Sequence, residues 1–63
     1  MRLLLHDPAY TDRLAAFLRS VGQRPLASGP LALEVTETEA AELEVYLRVW
    51  KVLYPDVEVK LVA

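Results

Sequence analysis

Apolar residues along the chain follow two rhythms, one of period two and one of period three to four, and the switches between them predict six elements. Leu3 and Leu5 alternate with Arg2, Leu4 and His6, which predicts a short strand ended by Asp7-Pro8. Asp is a favoured helix N-cap and Pro a favoured first helical residue, so a first helix is predicted from Pro8. Its apolar positions Tyr10, Leu14, Phe17, Leu18 and Val21 fall within an arc of about 100° when each residue advances about 100°. Asp12, Arg13, Ala16, Arg19 and Ser20 take the outside, and Gly22 supplies the C-terminal stop. Residues 23–35 read as two short strands around a turn at Ser28-Gly29-Pro30, with Leu31, Leu33 and Val35 alternating with Ala32 and Glu34. Pro25 lies in the first of these strands, and because proline cannot complete a central ladder that strand belongs at a sheet edge. Thr36 followed by Glu39 has capping-box spacing and launches a second helix at Glu37, which Tyr54-Pro55-Asp56 stops. Val57, Val59 and Leu61 then alternate with Glu58 and Lys60 as a half-buried last strand.

The order βαββαβ predicts an α+β fold: a ferredoxin-like sandwich in which two helices cover one face of a four-stranded antiparallel sheet. Strands one and three are expected at the centre and strands two and four at the edges. Residues 1–63 read as a single domain, without internal repeat or linker.

The second helix is apolar on two sides. Ala40, Leu43, Tyr46, Leu47, Trp50, Leu53 and Tyr54 form one stripe, with Trp50 at its centre, and Ala41, Val45, Val49 and Val52 form another. Glu42 separates the stripes on one side and Glu44, Arg48 and Lys51 on the other. One stripe is expected to face the core; the second calls for another partner, most simply a second copy of the chain.

Composition sharpens that expectation. A 63-residue chain is close to the size at which a single core barely suffices, and it contains no cysteine, so neither disulfides nor thiolate metal sites can add stability. Oligomerisation is the remaining means. No apolar run is long enough to span a bilayer, and MRLLLH has only three leucines and no small-residue cleavage site, so a cytoplasmic location is expected. The net charge of −2 provides no electrostatic footprint for nucleic acid or an anionic membrane. Acidic residues concentrate at Glu34, Glu37, Glu39, Glu42 and Glu44, where negative charge complements the dipole at the start of the second helix.

Candidate chemistry is sparse. His6 is the sole histidine, and its neighbour Asp7 is expected to cap the first helix rather than join it on a metal. Ser20 and Ser28 have no base and acid arranged around them. Glu44 stands four residues before Arg48 in the favourable order of a solvated helix surface, and the spacing of Tyr46, Trp50 and Tyr54 matches the inward stripe better than a ligand box. The sheet's open face is expected to present Arg2, Leu4, His6, Ala32, Glu34, Glu58, Lys60 and Val62. Without aromatics on the two central strands, base stacking by that face is disfavoured. The residues therefore predict no catalytic site, metal or cofactor.

The run LLLHDPAYTDRLAAFLRSVG, about a third of the chain, resembles the opening of an ACT-type regulatory domain. There a strand leads through an Asp-Pro-Gly turn into a helix of similar apolar spacing that ends in glycine. The resemblance implies the βαββαβ order, side-by-side pairing, and amino-acid binding near the turn, which here is Asp7, Pro8 and Ala9, with alanine in place of glycine. The residues together predict a non-enzymatic, homo-oligomeric interaction domain, most simply a dimer, using Ala41, Val45, Val49 and Val52 or a sheet edge. A contact with another protein is the variant of that reading. The alternative is an ACT-like regulatory module that takes up a small metabolite.

Overall fold

In a computed structural model of the protein, which describes residues 1–36 and 38–62, the elements are β1 (Arg2–Leu4), α1 (Pro8–Ser20), β2 (Leu26–Gly29), β3 (Ala32–Glu34), α2 (Ala40–Leu53) and β4 (Lys60–Val62). The strands form one antiparallel sheet in the order β2-β3-β1-β4. This is the ferredoxin-like arrangement, with β1 and β3 central. Leu3 pairs with Leu33 on one side and Leu61 on the other, and these side chains meet the helices. The intervening residues Arg2, Leu4, Ala32, Glu34, Lys60 and Val62 occupy the opposite face. Pairing continues beyond the strand bounds, since Val35 and Met1 exchange backbone bonds of 2.8 and 2.9 Å and Leu5 donates to Leu31 at 2.8 Å.

The edges differ in detail from the sequence reading. Pro25 lies just before β2, and is buried, rather than within the strand. Lacking an N–H, it is tolerated where the ladder has not yet begun. β2 runs on through Gly29, whose φ of +149° is a conformation that favours glycine, and the register shifts between Ala27 and Gly29. The turn is therefore displaced to Pro30-Leu31. β4 begins only at Lys60, because β1 ends at Leu4, with which Lys60 pairs. The alternation nevertheless extends upstream, with Val57 and Val59 half-buried against the core. His6 and Glu58 continue the β1–β4 register and approach to 3.7 Å.

Asp7 caps α1 as expected, its Oδ1 accepting from the Ala9 N–H at 2.9 Å. The other end closes with Gly22 at φ +87°, the Gln23 N–H reaching Leu18 O at 2.9 Å and the Gly22 N–H reaching Arg19 O at 3.1 Å. Between the caps, the buried residues are Thr11, Leu14, Ala15 and Leu18, while Tyr10 and Phe17 are only half-buried. Relative to the predicted arc the helix is rolled by about 60° on a helical wheel. Two features account for this: the Thr11 hydroxyl donates to Pro30 O at 2.8 Å, and the small Ala15 admits close packing.

The expected capping box on the second helix does not form. Val35 still bonds to β1 through Met1, so the chain must clear the sheet before it can coil, and α2 starts at Ala40 with Glu39 as an N-cap that makes no side-chain bond. The Thr38 hydroxyl donates instead to Gln23 Oε1 at the end of α1. Glu37, the predicted start, lies outside the described residues.

The helix layer is joined by aromatic contacts. Phe17 and Trp50 lie 5.7 Å apart, Trp50 and Tyr54 4.4 Å, and Tyr54 and Tyr10 5.7 Å edge-on, so these rings pack on one another instead of lining a binding box. Trp50 is 2% exposed. Its Nε1 is buried with no hydrogen-bond partner among the described residues. Trp50→Ala should remove on the order of 3–5 kcal/mol of stability, most of what a domain of this size has, and leave the chain largely unfolded in a chemical-denaturation experiment. Trp50→Phe, which also removes the unpaired N–H, should show the smaller loss.

Candidate interaction surface

The face of α2 that meets the core is set by Leu43 and Trp50, both buried, with Tyr46, Leu47 and Tyr54 half-buried around them. Residues four and seven apart share a helical face, so Leu43, Leu47, Trp50 and Tyr54 define one inward arc. Ala40 and Leu53, expected in that stripe, are exposed. Ala40 opens the first turn, and Leu53 lies about 60° from Trp50, past the edge of the arc.

The second stripe stands in solvent. Val45 is 54% exposed, Val49 49% and Val52 82%, with Ala41 exposed as well. Leu53, 58% exposed, extends this strip on the side of Glu42, and sequence reasoning had assigned it to the core. The strip's other flank carries Glu44, Arg48 and Lys51, all exposed. Among the described residues none of these three forms an ion pair within the chain. Glu42 accepts a hydrogen bond from the Tyr46 hydroxyl at 3.2 Å.

The remaining surfaces are less apolar or more broken. On the open sheet face, the Arg2 Nε donates to Glu34 Oε2 at 3.4 Å across the β1–β3 pair, while Leu4 and Val62 are just over a third exposed. Leu26 on β2 adds to this face, a residue the sequence reading had missed although it directly follows Pro25 at the predicted edge. An open groove of about 690 Å³ runs between α2 and the segment leading to β4. Leu47, Trp50, Val57 and Leu61 line it, with Arg48 and Asp56 also at its walls.

At the turn, Asp7, Pro8 and Ala9 are all exposed, and one carboxylate oxygen of Asp7 is already engaged by the Ala9 N–H. Among the described residues no three His, Asp or Glu side chains come together as a metal-ligand set, and no helix is long and apolar enough to cross a membrane. Comparison with known proteins finds no matching family model, curated protein or solved structure.

The geometry at Asp7 identifies its local role. Asp7→Ala should destabilise the fold by about 0.5–2 kcal/mol, whereas Asp7→Asn or Asp7→Ser, which keep an acceptor at the cap, should be nearly silent in thermal melts.

Proposed function

We propose that the protein is a small, non-enzymatic interaction module of the cytoplasm that forms a homo-oligomer, most simply a dimer, through Ala41, Val45, Val49 and Val52. The observation that carries this reading is the exposure of Val45, Val49, Val52 and Leu53 together on one flank of α2. Isolated exposed apolar residues are ordinary, but a continuous strip along a helix marks a contact surface. A core cluster of nine residues among those described also leaves the isolated subunit with little stability to spare. Covering the strip would add buried apolar area to every subunit, and a two-fold axis brings the same patch of two copies into self-complementary contact.

The alternative, an ACT-like module that takes up a small metabolite at Asp7, Pro8 and Ala9, draws less support. The residues of the turn are exposed, and one oxygen of the Asp7 carboxylate already serves the helix.

Sedimentation of the wild type and of Val45→Glu/Val49→Glu tests the proposal. Burying unpaired carboxylates costs several kcal/mol, so the variant should self-associate about a hundredfold more weakly while retaining its helical circular dichroism. An unchanged oligomer would move the interface to the β2 or β4 edge. A wild type that stays monomeric at high concentration would overturn the reading.

A further inference from the structure

Resting on the proposed self-association, we infer that the two α2 helices pack antiparallel about a two-fold axis, in the register that sets Val45 opposite the partner's Val49. The strip's own spacing selects this register. Opposing Val45 and Val49 also opposes Ala41 and Leu53, the smallest residue of the strip against its largest, so a projection on one helix meets a gap on the other. No other antiparallel alignment pairs Ala41, Val45, Val49 and Leu53 all at once; Val52, also exposed, then lies level with the partner's Glu42, whose carboxylate accepts from the Tyr46 hydroxyl. A parallel alignment sets Leu53 against Leu53 and Ala41 against Ala41, which crowds one end and leaves the other unfilled.

Charge points the same way. A two-fold axis perpendicular to antiparallel helices brings like flanks together, so the side bearing Glu44, Arg48 and Lys51 meets the same side of the second copy. In the stated register Glu44 falls within one turn of the partner's Arg48 and of the partner's Lys51, and these approaches, each made twice by the two-fold axis, outweigh the single like-charge approach of Arg48 to the partner's Arg48, giving an acid–base rim on the flank. These groups are exposed and make no ion pair within the chain among the described residues, so they are available for it. In a parallel pair about an axis along the helices, that flank would meet the opposite one and set Glu44 within one turn of the partner's Glu42, acid against acid, with Arg48 and Lys51 more than a turn away.

Cysteine crosslinking reads the register directly, because the chain has no cysteine of its own. Ala41→Cys and Leu53→Cys proteins are prepared separately, then treated singly or as an equal mixture with a short bifunctional maleimide. In the antiparallel register identical positions lie about 18 Å apart along the axis, twelve residues at 1.5 Å each, beyond the reagent's reach. The mixture should therefore give crosslinked dimer and each variant alone should not. Crosslinking of each variant with itself would overturn the inference in favour of a parallel pair.

A second measurement does not depend on cysteine at the interface. Glu44→Lys should raise the dimer dissociation constant about tenfold, and adding Arg48→Glu and Lys51→Glu should restore it. An unaffected constant, or no restoration, would refute the rim. Sedimentation separates the two levels of the claim: a dimer broken by Val45→Glu/Val49→Glu but lacking the mixed crosslink loses only the register, whereas a monomeric wild type loses the self-association with it.

Discussion

The packing of Trp50 and Leu43 against the covered face of a very small sheet is the interaction on which the rest depends. Strands of three and four residues place few side chains over the core, chiefly Leu3 and Leu33 at the centre with Leu61 half-buried beside them. Helices must therefore supply most of the apolar volume. Trp50 is the largest of the fully buried side chains, and Phe17, Tyr54 and Tyr10 extend from it in one connected set of ring contacts. The roll of α1 fits this demand: it buries Leu14 and Leu18 against the sheet and leaves Tyr10 and Phe17 at the helix–helix seam. Even the unpaired indole N–H fits, since burying a large ring at the centre outweighs the loss of one neutral hydrogen bond.

That same packing creates the surface strip. A helix can turn only part of its circumference toward a sheet, and α2 spends that part on Leu43, Leu47, Trp50 and Tyr54. Any further apolar residue on α2 must face outward. Val45, Val49 and Val52 do so along the helix length, and Leu53 joins them where the inward arc runs out. β-branched residues are not strong helix formers, which makes their repetition on a solvent-facing flank a poor choice for helix stability alone and a reasonable one for a surface that is to be covered.

The other surfaces are occupied by structural tasks. Arg2 and Glu34 pair across the open face of the sheet, and Asp7 ties down the first turn of α1. Thr11 fastens α1 to the β2–β3 turn through Pro30, and Thr38 and Gln23 link the end of α1 to the approach to α2.

Much of this was legible in the sequence because it depends on local periodicity and local backbone chemistry. The period-two runs around Leu3 and Leu33, the Asp7-Pro8 start, the Gly22 stop and the two stripes of α2 are each set within a few residues, and the βαββαβ order follows from them. The exposed strip was legible for the same reason, since Val45, Val49 and Val52 cannot share a face with Leu43 and Trp50. What the tertiary structure alone decided concerns where elements meet. The start of α2 moved to Ala40 because the ladder between Val35 and Met1 holds the preceding chain in the sheet. Pro25 fell outside β2 and β4 shortened to Lys60–Val62 because a ladder extends only as far as both partners do. Leu53 left the core and Thr11 and Ala15 entered it because the arc a helix buries is fixed by the surface it lies on, and a sequence read one helix at a time contains no information about that surface.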